Sequence, residues 1–258
     1  MLREWLTHPL TRGMELDDPR TTALRRRIVR EKRFLRLLYE EWYALIAASL
    51  PDGAGRVVEL GSGAGFLEEI IPERIATDIL LVPGIDLMAD AERLPFRDAS
   101  LRALVMTNLL HHVRSPHRCL TEAARCVRPG GVLSAVEPWV SPWSRIVYRR
   151  LHHEPFDPEA KDWELPRGGP LSNANGALPW ILFERDRERF GQEFPQWELA
   201  RLHPMMPFRY LLSGGVSMKS LSPGWSFSGW TWFERMLQPA MGGLAMFAQI
   251  VLRRTSAP

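Results

Sequence analysis

Three glycines, Gly61, Gly63 and Gly65, alternate directly after the apolar run Val57-Val58-Glu59-Leu60. Glycines just past a buried strand let the backbone turn sharply and approach a ligand closely. Residues Gly65 to Ile71 read as a helix, whose first N–H groups would face the same ligand. The spacing is GxGxG rather than GxGxxG, and bulky Phe66 stands where a dinucleotide-binding helix needs a small residue. No GK[ST] follows to make a phosphate-binding loop. Glu59, two residues before the first glycine, suits a cationic ligand better than a pyrophosphate.

A second set of residues could move protons. His111 and His112 follow the apolar run Leu101 to Thr107, and Glu137 ends the run Val132 to Val136. A histidine or carboxylate at the carboxyl end of a strand can take a proton from a hydroxyl; the same residues could wall a pocket or cap a turn. His152-His153-Glu154 lies further on and could supply a base. Adjacent histidines on a helix point apart, and no CxxC pair exists, so no metal is expected. Cys119 and Cys126, seven apart on a helical pattern, read as packing rather than as a nucleophile.

The elements that must position these groups alternate. Apolar residues from Thr22 to Leu50 recur on one helical face, and Pro51-Asp52-Gly53 stops them. Strands are expected at Arg56–Leu60, Ile75–Leu81, Ile85–Met88, Leu101–Thr107 and Val132–Val136, with a helix over Pro116–Val127. Two helices, Ser144–His153 and Leu178–Phe190, follow in a Trp- and Pro-rich stretch too long for an ordinary connection. Trp197–Leu202 and Ala245–Leu252 add two strands, the last antiparallel. The fold class is α/β: a Rossmann-like, doubly wound, mostly parallel seven-stranded sheet with an N-terminal helical cover and an inserted cap. The expected boundaries are 1–54 for the cover, 55–138 for the ligand-binding core, 139–196 for the aromatic cap and 197–258 for the strands completing the sheet.

The segment Val57 to Phe66 resembles the first motif of class I S-adenosylmethionine-dependent methyltransferases. Asp78 falls where that family puts an acid for the ribose hydroxyls. Asp90-Ala91, followed by Leu94-Pro95-Phe96, resembles the motif whose acid and next amide read the adenine edge. Thr107-Asn108-Leu109-Leu110-His111-His112 and Arg128-Pro129-Gly130-Gly131-Val132-Leu133 resemble the fourth-strand motif and the turn into the fifth strand. The match covers Val57 to Pro138 and is nearest the small-molecule, quinone-biosynthesis-like (methyltransferase type 11) branch. It implies S-adenosyl-L-methionine as cofactor, held by Glu59, Gly61, Gly63, Gly65, Asp78, Asp90, Ala91 and Asn108. Only Ile79 to Gly84 separate Asp78 from the third strand, where the family has a helix. The cofactor carries a sulfonium, a zwitterionic amino acid and a neutral adenosine, so carboxylates and close backbone suit it better than a lysine cluster.

The acceptor is harder to read. Asn108-Leu109-Leu110-His111 is not the [DN]PP[YF] of enzymes that methylate base amines, and carbon-5 pyrimidine methylation needs a positioned cysteine. Aromatics crowd the segment Pro138 to Ser217, and eight of the ten tryptophans lie between Trp139 and Trp232. Trp139, His152, His153, Asn173, Asn175 and Tyr210 are the expected substrate residues, with His111, His112 and Glu137 the expected catalytic ones. Rings with amides suit a sugar, a phenol or quinone, or an acyl chain. The expectation is O-methylation of a sugar, lipid-linked or phenolic small molecule. The alternatives are an RNA or protein methyltransferase and a non-catalytic cofactor-binding module.

Composition sets outer bounds. The 258 residues are 45% hydrophobic and 24% charged, enough for a packed core without disulfides. The first residues contain no apolar run of signal-peptide length, and Met236 to Val251 is too short and broken to span a bilayer, so a cytoplasmic protein is expected. All but Lys32, Lys161 and Lys219 of the 33 basic residues are arginine, yet the net charge is only +3, which makes nucleic acid an unlikely partner. The stretch Arg20 to Arg36 sets eight basic residues against the single Glu31. It is either a solvated face, a contact to phosphates through which the RNA or protein alternative would dock, or a contact to an anionic membrane surface, which would make the protein peripheral to a membrane.

Overall fold

The computed structural model describes residues 15, 17–151 and 154–256. Helix α1 (Pro19–Glu31) begins on Asp18, whose carboxylate caps the Arg20 amide at 2.8 Å, with Pro19 at the first position. Helix α2 (Arg33–Ala48) follows at once. The sequence reading expects one helix here; Lys32 breaks it with an extended backbone (φ −78°, ψ 93°). Its ammonium is tied to the carbonyls of Gly215 (2.6 Å) and Met218 (2.8 Å), which anchors the break against a distant loop. Helix α2 buries Leu35, Leu38, Trp42 and Ile46 on the stripe expected of an amphipathic helix.

Strand β1 (Arg56–Leu60) runs into the glycine loop. The helix expected over Gly65–Ile71 is absent, and only a 3-10 turn, Leu67–Glu69, forms. Phe66 has non-helical dihedrals, and Pro72 disfavours the helical conformation in the residue before it, leaving room for one turn. Strands β2 (Ile75–Asp78) and β3 (Leu87–Met88) are shorter than expected, joined by the tight turn around Gly84. Strand β4 (Leu101–Thr107) has the expected bounds, and α3 (Pro116–Cys126) starts on the Ser115 cap. Strand β5 (Val127–Pro138) is twice the expected length, because its pairing extends through the Pro129-Gly130-Gly131 segment.

Helix α4 (Pro142–Leu151) opens the inserted segment. A short helical stretch, Leu178–Trp180, continues as a π-helical turn over Ile181–Arg185 into α5 (Arg187–Glu193). Strand β6 (Trp197–Met205), helix α6 (Arg209–Ser213), helix α7 (Phe227–Met236) and strand β7 (Phe247–Arg254) complete the chain. The sequence reading passes over α7, whose Trp232 and Met236 are more than half exposed.

The seven strands form one sheet in the order β3-β2-β1-β4-β5-β7-β6. β1 to β5 are parallel, and β7 runs antiparallel between β5 and β6. The order reverses between β1 and β4, the switch point at whose carboxyl edge ligands bind in open α/β sheets. Central strands are buried on both faces, as parallel strands under helices must be. One face packs on α2, with Trp42, Tyr43 and Phe66 fully buried. The other packs on α3 and the inserted segment, through Trp139, Trp163, Phe183, Phe190 and Phe194. The aromatic insert is therefore largely core beneath the sheet.

Candidate active site

At the switch point the carboxyl ends of β1, β2 and β4 open into a cavity of about 380 Å³, within the range of small-molecule sites. Gly61 turns the chain out of β1 with φ +66°, and a Cβ there would lie 2.8 Å from the Leu109 side chain. A Cβ on Gly65 would lie 2.5 Å from the Tyr43 hydroxyl, which accepts the Phe66 amide at 3.2 Å. The α2 helix thus holds the loop from behind, in the place of the missing loop helix. The Ser62 amide donates to the Thr77 carbonyl (2.9 Å), and the Gly63 amide to Asp78 Oδ2 (3.1 Å).

Three carboxylates line this end. Asp78 accepts the Leu80 amide on Oδ1 at 2.9 Å; burial raises its pKa, while the Leu80, Gly63 and Ile79 amides pull it back. Asp90 accepts the Glu92 amide at 2.8 Å and stays exposed. Glu59 is buried beneath the loop and accepts Arg74 Nε at 2.6 Å. Burial pushes its carboxyl up to about 7, against the attraction of Arg74. Ala91 lines the wall, as does Asn108, which leaves β4 with φ +54°.

These residues fit S-adenosylmethionine. Backbone comes close where a side chain would clash, carboxylates stand ready for hydroxyl and amine donors, and Leu109 and Ala91 supply apolar wall. Thr22 Oγ1, buried at the cavity wall, has no hydrogen-bond partner among the described residues, so a ligand would satisfy it. The pairing of Glu59 with Arg74 modifies the sequence reading, since this acid already has a cationic partner.

The other end is built on a buried carboxylate. Glu137, at the end of β5, accepts the Leu109 and Leu110 amides on Oε1, both at 2.8 Å. Its Oε2 accepts His111 Nδ1 at 2.6 Å. Burial pulls the His111 pKa down, but Glu137 and Glu154 outweigh it and raise it to about 9. His112 Nδ1 donates to the Asn173 carbonyl at 3.1 Å. Burial, and then the charge on His111, lowers the His112 pKa to about 4. The two rings lie 4.2 Å apart on the 3-10 turn Leu110–His112. Glu154 faces both, 3.5 Å from His111 Nε2 and 3.8 Å from His112 Nε2.

All eight residues expected to hold the cofactor line the cavity, with His111, His112, Asn173 and Tyr210. Glu137 stands behind His111. Two expected substrate residues are placed elsewhere. Trp139 is core, because β5 ends by pointing its ring under the sheet. Asn175 turns its side chain onto the backbone of Asp157 and Ala177, while its amide donates to the His111 carbonyl at 2.9 Å. His152 and His153 lie outside the described residues. Of the other crowded aromatics, Tyr148 reaches the cavity, but Trp163 and Phe183 are core.

Sequence reasoning missed Tyr39 and Tyr43, which line the cavity from α2. Their spacing of four on a cofactor-covering helix was the available signal. It also missed the role of Glu154, because nothing local links that residue to His111 and His112.

Residues 69–135 match the family model for the Methyltransferase domain, a match that begins just past the glycine loop. A chain from the complex between the Haloferax volcanii Trm112 methyltransferase activator and the putative methyltransferase has the same fold, with TM-score 0.54 and 14% identity. The alignment covers 95% of this chain and 99% of that one. A SAM-dependent methyltransferase from Thermotoga maritima, described as a possible histamine N-methyltransferase, aligns with TM-score 0.55 and 18% identity, covering 90% and 99%. No curated protein matches the chain. Residues 69–135 thus match a methyltransferase domain, and the fold is shared with solved methyltransferase structures.

Proposed function

We propose that this protein transfers a methyl group from S-adenosylmethionine to a hydroxyl of a small molecule, a sugar, lipid-linked or phenolic compound. One observation carries the reading: a single cavity joins the glycine loop, Asp78 and Asp90 to the His111, His112 and Glu154 cluster. The bound cofactor supplies an electrophilic methyl on a sulfonium. Asp78, fixed by the Gly63 and Leu80 amides, holds the ribose side, while Asp90 and Ala91 read the adenine. Tyr210 and Asn173 bound the space left for an acceptor. His111, oriented by Glu137, presents Nε2 to that space, where it orients an acceptor hydroxyl or exchanges its proton. Much of the remaining acceleration would come from positioning.

The basic segment gives little support to docking on RNA, protein or a membrane. Arg26 and Arg30 pair with Glu68, Arg36 with Glu40 and Glu69, Arg20 with Asp18, and Arg27 with Glu31. Lys32 is bound to carbonyls, and Arg25 lines the cavity. Among the described residues no helix is long and apolar enough to cross a membrane.

The test is turnover to S-adenosylhomocysteine against panels of phenols, sugars and polyprenyl-linked hydroxyls. Transfer to one of them, lost in His111→Ala with cofactor binding retained, supports the reading. Cofactor binding with no transfer to any hydroxyl panel, and transfer to RNA or protein instead, would overturn it.

A further inference from the structure

The cluster at the acceptor end has a form that a base alone does not need. His111, His112 and Glu154 bring one ligand atom each to within 4.8 Å of one another. Both imidazoles are fixed through Nδ1, one by the Glu137 carboxylate at 2.6 Å and the other by the Asn173 carbonyl at 3.1 Å. A carbonyl can only accept, so His112 carries its proton on Nδ1 and leaves Nε2 as a lone pair. Metal-bound histidines are held this way, with the far nitrogen donating to a carboxylate or carbonyl. The two Nε2 atoms converge on the two oxygens of Glu154 at 3.5 and 3.8 Å. Ligand atoms around a tetrahedral ion with bonds of about 2.0–2.1 Å sit roughly 3.3 Å apart, so side-chain movements of up to about 1.5 Å would close the set.

We infer that His111, His112 and Glu154 form a binding site for a divalent transition-metal ion of the zinc class, on the acceptor side of the cavity. Two imidazoles and one carboxylate suit zinc, cobalt or iron rather than magnesium, which prefers an all-oxygen shell. Three protein ligands leave a position open to the cavity. Under the methyltransferase reading, on which this use of the site rests, His111 Nε2 would then be a ligand rather than a proton carrier, and an acceptor hydroxyl would bind at the open position and be made more acidic. The sequence reading, which expects no metal, weighs only His152 and His153 for one. The 3-10 turn stacks His111 and His112, and Glu154 arrives from another segment.

The test uses chelator-treated full-length protein titrated with Zn²⁺ by calorimetry, and with Co²⁺ by visible absorption. One ion per chain is expected, with affinity at least tenfold weaker in His112→Ala and in Glu154→Gln. Cobalt should give the intense visible bands of a four-coordinate site. Absence of stoichiometric Zn²⁺ binding, or unchanged affinity in Glu154→Gln, overturns the site. S-adenosylmethionine titrations of the same samples separate the two ideas. Metal binding without cofactor binding would leave the site standing and sink the methyltransferase reading; cofactor binding without metal binding would sink the site alone.

Discussion

The two ends of the cavity are made differently. The end proposed for the cofactor is backbone: three glycines, the amides of Ser62 and Gly63, and carboxylates at strand ends that hydrogen-bond neighbouring amides. The acceptor end is side chains: Glu137, His111, His112 and Glu154 in one buried chain of hydrogen bonds and charges. At the first end a methyl group added to a loop glycine would clash, whereas at the second each member leaves another charged or polar atom unpaired when removed.

The sharpest contrast is expected from Glu137→Ala. It strands two amides and a buried imidazole, at a cost of about 3–5 kcal/mol. For a chain of this size that lowers the melting temperature by roughly 6–20 °C, readable by calorimetry. A small shift would mean that the acceptor end is less tightly coupled than its geometry indicates. Next, His111→Ala should lower turnover by about 10²–10⁴-fold while cofactor affinity changes little. Parallel loss of both would erase the distinction between the ends. Asp90→Ala is the converse case, with affinity for S-adenosylmethionine weakened about tenfold or more and stability changed by no more than about 0.5 kcal/mol, since Asp90 is exposed.

Smaller effects sharpen the picture. Burial pushes the Glu59 carboxyl up to about 7, so its ion pair with Arg74 beneath the glycine loop is complete only above that pH. Affinity for S-adenosylmethionine should therefore rise several-fold from pH 6 to pH 8 and then level, with Glu59→Gln flattening the profile. A profile that falls with pH would assign the titration to another group. Smallest of all, Arg30→Ala removes a partly exposed pair to Glu68 and should cost less than about 1 kcal/mol.

The division between the ends also explains what could be read from sequence. Backbone sites are local. Gly61 to Gly65 follow from their place after a buried strand, Asp78 and Asp90 from the family resemblance, and all line the cavity. The sheet was legible for the same reason, because its strands are short apolar runs between turn residues. The acceptor end is tertiary. His111 is legible as a strand-end histidine, but its partners Glu137 and Glu154 come from separate segments. The tryptophans misled because ring density marks burial as readily as binding: Trp139 and Trp163 are core, while Trp225 is 86% exposed. The loop helix failed on Pro72, and the continuous N-terminal helix on Lys32, whose partners at Gly215 and Met218 no local pattern could supply.

The most direct test of the central claim is calorimetric titration of the folded protein with S-adenosylmethionine, run beside Gly61→Ala. Methyl addition at a left-handed glycine, 2.8 Å from Leu109, should close the cofactor end without reaching the histidines. One-to-one binding by the unaltered chain, lost or weakened at least tenfold by Gly61→Ala, is the predicted result. No binding by folded protein, or equal binding by both, would contradict the assignment of this cavity to the cofactor.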